Sequence, residues 1–158
     1  MLLMRSKTFS KSELRALNAQ LEGLYSIAPF EKKEKLQLVE DAKVTYLRKG
    51  HDALFFFVDG IPIPTLKCLY LKNFLKTVTV DMGSVRFICS GANVMRPGIT
   101  HIPDGIREGE VIAVQDEQNK KILVVGKALL DSSAMRASEK GKVILNLHSI
   151  GDVVWNLH

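Results

Sequence analysis

Between residues 11 and 26 the apolar side chains Leu14, Leu17, Leu21, Leu24 and Tyr25 recur at intervals of one to four residues that keep them on one helical face. Ser10 and Glu13 stand just before them at the S-x-x-E spacing of a capping box, so a helix over about 11–26 is predicted, ended by Ala28-Pro29. The rhythm then changes to polar–apolar alternation. Lys35 to Val39, Lys43 to Leu47 and Ala53 to Val58 read as three strands of a meander, with Lys49-Gly50 and Asp59-Gly60 as turn signals. Phe55-Phe56-Phe57 fits a buried strand better than a surface on which bases could stack. Pro62 and Pro64 lack the N–H that a ladder uses, so regular pairing is expected to stop there. Thr65 is placed to cap a short helix in which Leu66, Leu69, Tyr70, Asn73 and Phe74 repeat at helical spacing.

Past Lys76 the pattern becomes one of short strands with frequent punctuation. Thr77 to Val80 alternates, Val85 to Cys89 reads as a further strand, and the segment Ser90 to Gly98 interrupts the series. More strands are predicted at 111–115, at 121–130 after the Gln118-Asn119 turn, at 142–148 and at 153–157. Many short strands separated by turns predict a compact barrel rather than a layered α/β sheet. The chain shows no internal repeat and no low-complexity linker, so two domains, 1–76 and 77–158, are inferred from the change of rhythm.

Charge supports the same division. The chain of 158 residues carries a formal net charge of +5, with 46% hydrophobic and 25% charged residues, a composition that buries a core. Lys and Arg outnumber Asp and Glu by 13 to 8 over residues 1–76 and balance them 9 to 9 over 77–158, so the excess lies wholly in the first half. Its cations cluster at Lys32-Lys33, Lys35, Arg48-Lys49, Lys67, Lys72 and Lys76, which suits either a solvated face or a surface facing phosphate. No apolar run is long enough to span a bilayer. The start, Met1-Leu2-Leu3-Met4-Arg5, lacks the features of an export leader, and a cytoplasmic protein is expected.

Candidate catalytic chemistry is sparse. Cys68 and Cys89 belong to no C-x-x-C pair and read as buried apolar thiols, and His51, His101 and His158 fit no metal-ligand spacing. Phosphate-loop, dinucleotide and nucleophile-elbow patterns are missing. Asp81, Asp104 and Asp116 fall in or near turns, where aspartate satisfies local amides. A non-catalytic protein with no cofactor and no metal is expected.

The order of Asp81-Met82-Gly83-Ser84, Ser90 to Ile99, Gly109-Glu110-Val111, Val125-Gly126-Lys127-Ala128, Lys140-Gly141-Lys142 and His148 through Gly151-Asp152 to Trp155 resembles a PUA domain over residues 77–158. Upstream, Asp59-Gly60, Pro62-x-Pro64-Thr65-Leu66 and the Ser90-Gly91-Ala92-Asn93 form of the motif resemble the malignant T-cell amplified sequence proteins and their archaeal relatives. The resemblance implies an α+β N-terminal domain followed by a PUA-type β pseudo-barrel. It further implies a protein acting in translation that binds structured RNA, tRNA or small-subunit rRNA, with the small ribosomal subunit and a translation-initiation-factor-like protein in trans as partners. The alternatives are an accessory RNA-binding subunit for a separate modifying enzyme and a protein adaptor that no longer binds RNA.

The residues implied for RNA contact are Gly91, Ala92, Asn93, Val94, Met95, Arg96, Gly98 and Lys127. Gly91 and Gly98 would take backbone angles closed to other residues, amides of a helix start near Ala92-Asn93-Val94 would face a phosphate, and Asn93 would read a base edge. Arg96 would hold a phosphate or stack on a base, and Lys127 would line the groove. Trp155 is expected to close the barrel, with His148 and Asp152 fixing the last turn.

Overall fold

Ser10 caps as its spacing predicts. Its Oγ accepts the Glu13 amide at 3.1 Å while the Glu13 carboxylate accepts the Ser10 amide at 3.1 Å, and helix α1 (Lys11–Tyr25) starts on this closed box. Leu14, Leu17 and Leu21 turn inward from α1 and pack with Phe30, Leu36, Leu47 and Phe55. The computed structural model describes residues 4–158 as two compact units: the chain up to Phe74 together with Leu157–His158, and Leu75–Asn156. Met1 to Leu3, most of the apolar start considered above, lie outside the described residues.

The first unit is an antiparallel sheet in the order β1-β2-β3-β4-β5, formed by Arg5–Thr8, Gln37–Glu40, Thr45–Lys49, Asp52–Val58 and Ile61–Pro64. Helix α2 (Leu66–Leu71) follows, its Thr65 cap accepting the Cys68 amide at 3.1 Å. Two of these strands depart from the sequence pattern. β1 is exposed at all four positions and so carries no apolar alternation; its register against β2, Arg5 opposite Glu40 through Thr8 opposite Gln37, holds it in place. β5 contradicts the expectation that prolines end the pairing, because Pro62 lies opposite Phe57 and Pro64 opposite Phe55. The reason is positional. β5 is an edge strand, and alternate residues of an edge turn their backbone groups away from the neighbour, where a missing N–H costs no ladder bond. The Pro62 carbonyl, facing away in this sense, accepts the Tyr25 hydroxyl at 2.6 Å.

The second unit is a six-stranded sheet in the order β7-β11-β10-β9-β6-β8. Its strands are β6 (Thr77–Val80), β7 (Val94–Met95), β8 (Ile99–His101), β9 (Val111–Asp116), β10 (Ile122–Ala128) and β11 (Lys142–Ser149), with helices α3 (Met82–Ile88) and α4 (Ser132–Ala137). Pairing is antiparallel except between β6 and β9. β7 and β8 stand at opposite ends of this order, yet only the single 3₁₀ turn Arg96–Gly98 separates them in the chain. The sheet therefore curls until its two edges are a turn apart, which is the pseudo-barrel. Val78, Val80, Ile88, Val94, Ile112, Val114, Val124 and Ile144 fill it. Gly126 lies at a bulge between β10 and β11 where an added Cβ would stand 2.6 Å from Ile144 Cγ2 and 2.8 Å from the Leu145 carbonyl oxygen.

Two expected strands are replaced here. Val85 to Cys89 lies on helix α3 and its C-cap, because Asp81 Oδ1 accepts both the Ser84 amide and the Ser84 hydroxyl at 2.9 Å and so sets a helix start that a short apolar run alone cannot disclose. Residues 153–157 form no strand; turns occupy most of them. The Asp152 carboxylate gathers the Ser149 amide at 2.8 Å, the Trp155 amide at 2.8 Å and the His148 ring at 2.9 Å, which winds the chain back on itself. His148 and Asp152 thus fix the last turn, whereas Trp155 is half-buried and lies outside the core.

Candidate functional site

Helix α3 presents two faces. Val85, Ile88 and Cys89 pack on the barrel core. Phe87, one residue before Ile88, is left 54% exposed on the other side. Beyond the helix the chain turns at Gly91, whose φ of +97° lies in the region that favours glycine, and returns as β7. A groove of about 700 Å³ opens along this return. Asp81, whose carboxylate is held by the Ser84 amide and hydroxyl, lines it with Gly83, Ser84, Phe87 and Ile88 on the helix side; Ala92 to Met95, Pro97, Gly98 and Lys142 complete it. Met95 is 50% exposed at its rim, and Lys142 reaches it because β11 places that residue directly opposite Met95. The Arg86 guanidinium stands 4.8 Å from the centroid of the Phe87 ring.

The residues expected from the sequence divide among different tasks. Ala92, Asn93, Val94, Met95 and Gly98 all line the groove, while Gly91 lines a smaller polar pocket with Ser90, Asn146 and Asp152. Val94 borders it from the interior, since the residue is only 1% exposed and belongs to the core. The Asn93 carboxamide oxygen accepts the Asn146 amide at 2.8 Å, and Asn146 Nδ2 in turn donates to the Ile88 and Ala92 carbonyls at 2.9 Å. Asn93 is therefore first a clamp on the loop, and a base could meet only its remaining amide edge. No helix begins at Ala92-Asn93-Val94. The helix start lies at Met82, and the Asp81 carboxylate already holds the Ser84 amide there.

Gly98 is required for space and not for an unusual angle, because an added Cβ would meet Ser84 Oγ at 2.1 Å. Arg96 does not enter the groove. Its Nε donates to the Met135 carbonyl at 2.7 Å and its Nη1 to the Ile99 carbonyl at 3.3 Å, and it lines a separate pocket with His101 and Arg136. Lys127 is exposed on β10 beside Gly109, away from the groove lining, and Lys142 takes the role foreseen for it. Phe87, Arg86 and Lys142 were missed. The signal that finds Phe87 is the Asp81 cap: once Met82 starts a helix, Phe87 falls off the apolar face and becomes an aromatic with no core to enter.

The remaining polar groups are structural. Asp116 holds the Asn119 amide at 2.5 Å and the Lys121 amide at 3.2 Å, and Asp104 pairs with Arg136. His148 has a fully buried side chain, so its pairing with Asp152 faces no substrate. Burial pushes the Asp152 carboxyl upward, but the His148 ring and the Ser149 and Trp155 amides outweigh it and hold the group below its ordinary value. Burial pushes the Cys68 thiol up to about 12 and raises Cys89 as well, so both remain protonated thiols. Of the basic residues in the first unit, Lys49 pairs with Glu34 at 3.4 Å and Arg48 Nε donates to Gln37 at 2.8 Å, while Lys32, Lys33 and Lys35 are exposed surface residues. Among the described residues no helix is long and apolar enough to cross a membrane.

An aromatic ring and a thioether at the rim of an apolar groove, with an ammonium group in its wall and a guanidinium beside it, suit a planar ring that carries a negative charge nearby. A nucleotide whose base stacks on Phe87 while its phosphate meets Lys142 has that form.

Known proteins resemble the chain in sequence and fold. Residues 76–150 match the PUA domain family. The chain is 35% identical to an uncharacterized protein of Methanocaldococcus jannaschii, over 93% of each sequence. It is 30% identical to translation machinery-associated protein 20 of Eremothecium gossypii, over 79% of this chain and 74% of that one. It is also 30% identical to malignant T-cell-amplified sequence 2 of Homo sapiens, over 80% and 73%. Among solved structures, a PUA domain protein from Aeropyrum pernix, crystallised with tartrate, superposes with a TM-score of 0.85 at 28% identity over 98% of this chain and 90% of that one.

Proposed function

The chain belongs to the family of translation machinery-associated protein 20 and the malignant T-cell-amplified sequence proteins and carries a PUA domain, and on that premise we propose that it binds structured RNA of the translation machinery through the groove between α3 and Gly98. The observation that carries the proposal is the exposed pair Phe87 and Met95 on either side of that groove, with Lys142 in its wall. Large apolar side chains left in water at a concave site mark a place where something binds. An unpaired base supplies the matching ring, and a backbone phosphate matches the cation.

The RNA is tRNA or small-subunit rRNA, and the work is recognition without chemistry. The names of the relatives point to the translation machinery, the Ser84–Asp81 pair in the groove lining is engaged in capping α3, and the His148–Asp152 pair is buried at its histidine. A cytoplasmic setting at the small ribosomal subunit follows from the same reading, with a translation-initiation-factor-like partner supplied in trans.

Ultraviolet crosslinking of the protein to RNA, followed by sequencing of the bound RNA, tests the proposal. Small-subunit rRNA together with tRNA supports it; a single modified tRNA points to an accessory of a modifying enzyme; nothing above background refutes RNA binding. In parallel, Phe87→Ala should weaken tRNA binding by about 1–3 kcal/mol, the range for removing one base–aromatic stack.

A further inference from the structure

A second pocket borders the same short turn that bounds the groove. The groove lining includes Pro97 and Gly98. A pocket of about 350 Å³ is lined by Arg96 and by Ile99 to Ile102, with Arg136 from α4. The two concavities are thus one 3₁₀ turn apart, Arg96–Gly98.

The second pocket is built differently from the first. Two guanidinium groups line it, that of Arg96 held by two backbone carbonyls and that of Arg136 by one. Arg96 is fixed by Met135 and Ile99 as described, and Arg136 Nη2 donates to the Ile102 carbonyl at 2.8 Å. A guanidinium carries five N–H donors, and these bonds use two from Arg96 and one from Arg136, so several remain to be shared. His101 and the Thr100 hydroxyl supply further polar groups at the same wall. The anion that competes is Asp104, 93% exposed, which touches Arg136 at 2.5 Å. An ion pair that open to water is weak and easily displaced.

We propose that this pocket, lined by Arg96, Arg136, His101 and Thr100, is a phosphate-binding site for the backbone of the same RNA, one step along the strand from the base held at Phe87. The assignment rests on the RNA-binding reading of the groove and extends it. Two rigid forks present the paired donors that a phosphate takes bidentately, which a flexible lysine does not. Both concavities border the Arg96–Gly98 turn, so a strand that crosses this turn touches both. The groove supplies base recognition and the pocket supplies position, the division of labour that nucleic-acid interfaces show.

The test uses full-length protein and one tRNA, with the dissociation constant measured across a salt series. Arg136→Gln should lower affinity about fivefold at low salt and reduce the log–log salt slope by about 0.7, the value for one single-strand phosphate no longer neutralised. Arg136→Lys should restore the slope but only part of the affinity, since it keeps the charge and loses the fork. Asp104→Asn should move affinity the other way, by about twofold, because it frees Arg136; Glu117→Gln, on the β9–β10 turn, controls for the general removal of a negative charge and should gain less. Unchanged slopes in Arg136→Gln, or equal gains from Asp104→Asn and Glu117→Gln, overturn the pocket assignment. If Phe87→Ala still weakens binding in that case, the groove stands and the pocket alone falls. If wild-type protein binds no tRNA, the reading beneath both is wrong. Thermal melting of each variant separates a folding defect from weakened RNA binding, and Asp104→Asn tests the site without removing either arginine.

Discussion

Arg96→Ala separates two roles that one side chain could play. From sequence it belongs to the glycine-rich segment and points to RNA; in the fold its guanidinium ties the 3₁₀ turn to α4. The Nε bond to Met135 at 2.7 Å is short and charge-assisted. Such a bond contributes about 1.5–3 kcal/mol. The Nη1 bond to Ile99 at 3.3 Å is beyond the favourable range and adds little. After truncation the Met135 carbonyl still meets the Ser138 amide at 3.3 Å, so part of its bonding survives. The net destabilisation should then be about 2 kcal/mol, which lowers Tm by about 8–16 °C for a unit of this size. Trp155 is the chain's only tryptophan and lies in the same unit, so urea unfolding followed by its fluorescence reads the effect directly. Arg96→Lys, a cation without the planar fork, should recover less than half of that stability. A destabilisation below about 0.5 kcal/mol, the level of an ordinary surface change, would refute the tethering role.

Gly98→Ala should destabilise the protein by about 1–3 kcal/mol through overpacking against Ser84, and Ser84→Ala in the same chain should relieve most of it; a double variant no more stable than Gly98→Ala in urea unfolding would discard the steric account. Asp152 has a depressed carboxyl pKa in the folded state, so its stabilisation is present above the ordinary aspartate range and is lost as pH falls through the lowered value. Wild type should therefore lose its stability advantage over Asp152→Asn on acidification, and a difference that stays constant down to the lowest pH at which the protein folds would contradict this. A fragment of residues 75–156 should unfold cooperatively on its own, because its core residues all come from within it; a chemical-shift spectrum without dispersion would show that it depends on the rest of the chain. If the exposed Lys32 and Lys33 face RNA, replacing both with Ala should flatten the salt slope of tRNA binding by up to about 1.5–2, and an unaltered slope would make them an ordinary solvated surface.

Local signals in the chain were enough to predict those elements whose cause is local. The Ser10–Glu13 box, the Thr65 cap, the three strands of the meander and the strands expected at 111–115, 121–130 and 142–148 each rest on spacing within a few residues, and each of these strands forms within two residues of its expected bounds. The ordered motifs from Asp81 to Trp155 likewise carried the family and most of the groove wall. What the chain could not disclose depends on partners distant in sequence. β1 has no apolar pattern because pairing with β2 alone makes it a strand, and β5 tolerates two prolines only because it is the edge of its sheet. Val85 to Cys89 is an apolar run compatible with either structure, and the carboxylate of Asp81 together with the curl of the sheet decided for the helix. The same holds for the site. Hydrogen bonds to Asn146 and Met135, 53 and 39 residues away, took Asn93 and Arg96 for the scaffold. β11 brought Lys142 opposite Met95, and the helix left Phe87 outside. Side-chain chemistry in the sequence states what a residue can bond; only the closed sheet determines which of its possible partners arrives first.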